Sequence, residues 1–182
     1  HKWICAPRGT ALLWAAPERR TAVGPNIVSH GSGNGFTSDF VWDGNRDYAP
    51  TLALSAALEF HKAIGQPAIC GYMQNLLSDA VRLLTERWGT STLAPLSLCP
   101  PAMALVRLPP GRGMIPEAGA ATSADAKHAQ DFLHEHGRVE VPVKSVVGNL
   151  YVRLSCHIYN TMGDFHALEA AVDQYIGSPS GQ

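Results

Sequence analysis

The sequence predicts the end of an α/β domain followed by a small α+β lobe, and patterns in its second half carry that expectation. Apolar residues line one helical face through 71–88, where Leu76, Leu77, Ala80, Leu83, Leu84 and Trp88 recur. Strict alternation runs through 151–158. Around them the order helix, strand, helix, strand, strand, helix is that of an α+β lobe, whereas the first part reads as the remnant of a sheet-containing domain.

In chain order, Ala11 to Ala15 is expected as a strand, broken by Pro17 and the charged turn Glu18-Arg19-Arg20, with Asn26 to Ser29 a second short extended piece. Gly31-Ser32-Gly33-Asn34-Gly35 is flexible enough for its backbone to approach a phosphate. Its glycine spacing matches a dinucleotide fingerprint only loosely, so an active-site loop and a plain connector both stand. Trp42 to Pro50 is a polar turn, and Thr51 to Ile64 a helix with Leu52, Ala56 and Phe60 at helical spacing between Pro50 and Gly65. The helix from Gly71 to Trp88, stopped by Gly89, is long enough to join two lobes.

Thr90 to Cys99 reads as a linker, Met103 to Leu108 as an apolar strand, and Pro109 to Ser123 as a mobile loop without periodicity. Ala124 to His136 is a helix closed by Gly137, and Arg138 to Val143 an edge strand, because Pro142 cannot donate to a ladder. Along Tyr151 to Ile158, alternation turns Val152, Leu154, Cys156 and Ile158 to the core and leaves Tyr151, Arg153, Ser155 and His157 for a polar face. Met162 to Ile176 closes the chain as a helix with Phe165, Leu168, Val172 and Tyr175 inward, ahead of a tail from Ser178 to Gln182. The expected organisation is 1–50, the remnant of the large domain; 51–89, interdomain helices; 90–177, the small α+β domain; and 178–182, a tail.

A formal net charge of −1, with 46% hydrophobic and 16% charged residues, leaves nucleic acid no electrostatic footprint and suits a small-molecule substrate. No apolar run approaches the ~20 residues of a membrane span. Cys5, Cys70, Cys99 and Cys156 lack zinc spacing and read as buried free thiols, which suits a reducing, cytoplasmic setting, with any targeting segment lying upstream. His134 and His136 read as solvated residues, and no metal site is expected.

Chemistry concentrates at the start. His1-Lys2-Trp3-Ile4-Cys5-Ala6-Pro7-Arg8-Gly9-Thr10 sets a lysine between two rings ahead of a Pro-Arg-Gly turn, a partly desolvated setting in which an amine can lose its proton and attack a carbonyl, as Schiff-base formation requires. On pattern alone a surface lysine near a frayed terminus is the simpler reading. Arg153, able to pair bidentately with a carboxylate, is on pattern alone as readily a surface arginine.

The segments His1-Lys2-Trp3 with Pro7-Arg8-Gly9, Ser29-His30-Gly31 with Gly35-Phe36, Trp42 to Pro50, and Val152-Arg153-Leu154-Ser155 with Tyr159-Asn160-Thr161 together resemble class V aminotransferases, pyridoxal phosphate (PLP) enzymes of fold type I. Within that class they are most similar to the group of isopenicillin N epimerase and the cysteine or hercynylcysteine sulfoxide carbon–sulfur lyases. The resemblance implies that Lys2 is the cofactor lysine and general base, that His1, Gly44 and Asn45 adjoin the cofactor, and that Arg153 takes the substrate carboxylate with His30 nearby. Asn45 departs from the threonine usual there, whose hydroxyl reaches the cofactor phosphate of the neighbouring subunit; an amide also donates, with a different reach.

No cysteine lies in the loop before Arg153, which disfavours sulfur transfer through an enzyme thiol and leaves β-elimination, epimerisation or transamination. The expected function is that of a PLP-dependent carbon–sulfur lyase, working as a homodimer, with an epimerase or aminotransferase as the alternative. The resemblance also implies a large portion ahead of His1, so the rival expectation is a non-catalytic fragment that binds PLP poorly and exposes apolar surface.

Overall fold

The computed structural model describes residues 1–41, 44 and 46–178. The chain divides between Gly65 and Gln66 into two units.

The first unit is built from turns and short helices: a 3-10 turn over Pro17–Ala22, then α1 (Phe36–Val41), α2 (Ala49–Leu52) and α3 (Leu54–Ile64). Among its described residues no strand forms, so the strands expected at 11–15 and 26–29 are corrected to irregular chain. A strand persists only where neighbours take its backbone N–H and C=O groups, and this unit offers none. Leu12 is 89% exposed and Val28 79%. The sheet character expected for 1–50 is therefore absent from the unit itself. Asp47 opens α2 by accepting the Ala49 N–H at 2.9 Å, and Pro50 occupies the first turn, where a missing N–H is harmless.

The second unit holds the core. Its long helix α4 (Gln66–Trp88) begins at Gln66 rather than at the expected Gly71, because Pro67 falls in the first turn and needs no hydrogen-bond partner. It buries Ile69, Met73, Leu76, Leu77, Ala80, Val81, Leu84 and Trp88, and Gly89, at φ 64°, ends it. Strand β1 (Met103–Arg107) follows, then α5 (Ser123–Glu135), β2 (Val143–Val146), β3 (Asn149–Ser155) and α6 (Met162–Gly177). The strands form an antiparallel sheet in the order β1-β3-β2. One sheet face, carrying Ala104, Val106, Val143, Val152 and Leu154, joins α4, α5 and α6 in a single core.

Local signals explain the helix starts. Thr122 and Asp125 make a capping box at α5, satisfying amides that would otherwise be orphaned. The loop 109–122, expected to be mobile, is tied in place: Ile115 and Ala121 are buried, and the Ala121 N–H donates to the Gly148 carbonyl at 2.9 Å.

The edge strand expected over Arg138–Val143 instead runs over Val143–Val146. Pro142 has no N–H for the ladder, although its carbonyl accepts from the Arg153 N–H at 2.9 Å, and pairing in the β2 ladder begins one residue later. A two-residue turn with φ 47° at Val147 and φ 68° at Gly148 joins β2 to β3. Positive φ at both central residues matches the twist of the paired strands, but a β-branched residue is strained there. Val147→Asn is expected to raise the unfolding free energy by about 1 kcal/mol, measured by urea denaturation.

Strand β3 spans Asn149–Ser155, shifted from the expected 151–158. Val152, Leu154 and Cys156 are buried as expected, and Arg153 and Ser155 are exposed. Tyr151 and His157, placed on the polar face, are buried instead. In register Tyr151 lies between Arg107 and Lys144, whose long stems can cover an aromatic ring; His157 stacks on Tyr159 with ring centroids 4.5 Å apart. Helix α6 buries Phe165, Leu168, Val172 and Tyr175, the inward set read from its spacing. The tail beyond Ser178 lies outside the described residues. Among the described residues no helix is long and apolar enough to cross a membrane.

Candidate functional site

Arg153 stands at the middle of the central strand, on the sheet face turned away from the core, opposite Leu105 of β1. Alternation puts it there: Val152 and Leu154 on either side are buried at 0% and 1% exposure, so the guanidinium must point the other way. Among the described residues no carboxylate pairs with it. An exposed, unpaired guanidinium on rigid sheet is ready to take an anion bidentately.

Arg153 lines two clefts. One, of about 290 Å³, is walled by Leu93, Leu98, Pro100, Met103 and Leu105, with Cys99 in its lining. The other, of about 240 Å³, is bounded by Glu140, Ser155, Asn160 and Asp164. Asn160 builds the turn that carries the chain from β3 into α6. Its Oδ1 accepts the His157 N–H at 3.0 Å, its carbonyl accepts the Tyr72 hydroxyl at 2.6 Å, and its Nδ2 donates to Asp164 at 3.2 Å. Asp164 in turn accepts the Thr161 N–H at 2.8 Å. The structural work of Asn160-Thr161 was not read from the sequence. Its signal was there: a threonine three residues before an aspartate at the start of an apolar-periodic run marks a helix N-terminus.

The other candidates belong to the first unit. His1 and Lys2 lie in one turn, closed by the Ala6 N–H donating to the His1 carbonyl at 3.0 Å and by Cys5 at φ 53°. Lys2 is exposed, and so are its neighbours His1 and Trp3. The partly desolvated setting expected for the amine is thus not formed among the described residues of this unit. His30 is exposed in the Ser29–Gly35 turn, where Ser32 N–H donates to Ser29 at 3.0 Å and Asn34 N–H to Gly31 at 3.2 Å. Gly31 must be glycine, because a Cβ there would overlap the Ser38 carbonyl. Among the described residues no hydrogen bond or ion pair joins His30 to Lys2. Gly44 takes φ 92°, with nothing within 4 Å of where a Cβ would sit, and the Tyr48 hydroxyl donates to its carbonyl at 3.1 Å. Asn45, with Trp42 and Asp43, lies outside the described residues.

Of the four cysteines, all free, only Cys156 is fully buried; Cys70 and Cys99 are partly covered and Cys5 is exposed, which corrects the expectation of buried thiols throughout. The apolar sequence around Cys5 finds no core to enter. Burial pushes the Cys156 thiol up to about 11, so it stays protonated and unreactive at neutral pH. A thiol reagent such as DTNB is expected to modify Cys5 within the mixing time and to reach Cys156 only after denaturation, as peptide mapping would show. Among the described residues no group of histidine, cysteine and acidic side chains is arranged to hold a metal ion.

No family model matches the chain. Curated relatives do. A protein of Arabidopsis thaliana named "Probable L-cysteine desulfhydrase, chloroplastic" is 29% identical over 97% of this chain and 38% of its own length. The isopenicillin N epimerase of Streptomyces clavuligerus is 30% identical over 97% of the chain and 46% of its own length. The homologues of this chain are L-cysteine desulfhydrases and isopenicillin N epimerases. The resemblance to the class V aminotransferase group, read from the lysine, Ser-His-Gly and Arg-x-Ser segments, is borne out along nearly the whole chain. A solved structure titled "NIFS-LIKE PROTEIN" shares the fold, with a TM-score of 0.56 at 18% identity over 84% of this chain and 39% of that one. The chain spans less than half the length of these relatives.

Proposed function

We propose that the chain carries the reactive lysine and the carboxylate-binding arginine of a PLP-dependent enzyme that acts on an amino acid, with carbon–sulfur lysis by β-elimination as its reaction. The observation that most supports this is the match of 97% of the chain to proteins named for cysteine desulfhydration. Its own side chains fit such a cofactor. Lys2 offers an exposed primary amine, and Gly44 leaves its backbone open to a phosphate oxygen; Asn45 adds an amide donor, and His1 adjoins Lys2 in sequence.

When bound, PLP draws electrons from the substrate α-carbon so that a bond there can break. Lys2 takes the α-proton on its Nζ, as the general base. Arg153 holds the substrate carboxylate through two parallel N–H···O bonds, which fixes which bond at the α-carbon is aligned for cleavage. His30 lies beside the substrate without an assigned step. The enzyme is a homodimer in this reading, checked by its mass in sedimentation equilibrium.

Epimerisation is favoured by the 30% identity to isopenicillin N epimerase. There the same proton leaves and another returns on the opposite face of the α-carbon. Pyruvate and ammonia as products mark the lyase; solvent deuterium at an inverted α-carbon marks the epimerase. A new amino acid formed from an added keto acid marks the aminotransferase.

The exposure of Leu12, Trp14 and Val28 favours a form in which more polypeptide covers the first unit, and hence weak PLP binding by this chain alone. The deciding experiment is borohydride reduction of the protein from its native source in the presence of PLP, followed by peptide mapping. A pyridoxyl group on Lys2 is expected; its absence at saturating PLP, with folding confirmed by circular dichroism, overturns the enzyme reading.

A further inference from the structure

The cleft on the β1 side of Arg153 is apolar almost throughout. Leu93 and Leu98 come from the segment that precedes the sheet, and Met103 and Leu105 from β1; among the described residues Arg153 is the one charged member of its lining. Leu98 is 78% exposed and Leu93 45%, so the wall is apolar surface that the core does not use. The cation is independent of that wall: its backbone is fixed by the pairing of Leu105 with Arg153 and by the Arg153 N–H bond to the Pro142 carbonyl, and no carboxylate neutralises it among the described residues. A polar substituent placed against these leucines would lose its water without gaining a partner. The second cleft, with Glu140 and Asp164 in its walls, repels the same carboxylate that Arg153 attracts.

We infer that this cleft receives the apolar substituent of a carboxylate ligand whose carboxyl group pairs with Arg153. At about 290 Å³ the cleft is larger than the side chain of cysteine needs. As a statement about substrate, the inference rests on the proposed amino-acid enzyme: the preferred substrate carries a bulky hydrophobic side chain. As a statement about binding it stands on the second unit alone. Leu105 sets the specificity, because it lies directly opposite Arg153 in the sheet.

The test is titration of the whole chain with octanoate, octylamine and acetate, read from the methyl resonances of Leu93, Leu98, Leu105 and Met103. Octanoate is expected to bind at least tenfold more tightly than either of the others. Arg153→Met should remove the preference for octanoate over octylamine, and Leu105→Asn, which removes apolar wall without adding a charge beside Arg153, should weaken octanoate at least tenfold. Unchanged core methyl resonances of Leu84 and Leu133 report that each variant is folded; Leu98→Asn, at a more exposed position outside the strands, repeats the Leu105 test if that variant is not. Absence of saturable shifts, or equal shifts from octanoate and octylamine, overturns the inference. A pyridoxyl label on Lys2 without octanoate binding would remove the cleft and keep the enzyme; octanoate binding without the label would do the reverse.

Discussion

Replacing Lys2 with alanine is expected to abolish the pyridoxyl label and to lower turnover of an amino-acid substrate by roughly 10²- to 10⁴-fold, the range of a lost general base. Stability should move by no more than about 0.5 kcal/mol, since the side chain is exposed. That separation of activity from stability is the informative part. A surface lysine near a terminus would show neither effect, and turnover retained by the variant would leave Lys2 with no chemical role. Lys2→Arg distinguishes charge from nucleophilicity: it keeps the cation but, with a guanidinium that does not deprotonate, should be as inactive as alanine.

The second large effect is structural. Gly148→Ala is expected to destabilise the chain by about 2–4 kcal/mol, because two mechanisms act together. The residue sits at φ 68°, where a side chain is strained, and a Cβ would overlap the carbonyl of Gly119. Neither contact can relax by turning a flexible side chain, since the obstacle is backbone. Because the Gly148 carbonyl also accepts the Ala121 N–H, the loop 109–122 should loosen with the hairpin, seen as faster amide exchange at Ala121. A urea midpoint unchanged from the parent would contradict this account of the turn.

Much of the second unit was legible from residue patterns. The amphipathic faces of α4 and α6 and the alternation through Val152, Leu154 and Cys156 correspond to buried positions, with Leu83 only partly covered. These are short-range consequences of helix and strand periodicity, so they survive in any context that offers a core. Arg153 was placed on the open sheet face by the same rule. What its face is made of was not legible: Leu93 and Leu98 are brought to Leu105 by the Thr92–Val106 bridge and the turn at Leu96–Leu98, far from any periodic segment.

The strands expected at 11–15 and 26–29 show the opposite case. Their composition suits a sheet, but a strand is completed only by a partner, and none lies among the described residues of the first unit. Pro142 displaced the edge strand for a related reason: its effect on a ladder depends on which side of the strand has a neighbour. By itself, then, the sequence determined the order of helices and strands in the second unit and the inward faces of α4 and α6. Only the tertiary structure decided which extended segments become strands, that Lys2 and Cys5 remain exposed, and that Arg153 stands beside an apolar cleft with no carboxylate paired to it among the described residues. Periodicity is written within a few turns of chain, whereas pairing, burial and charge environment are set by residues distant in sequence.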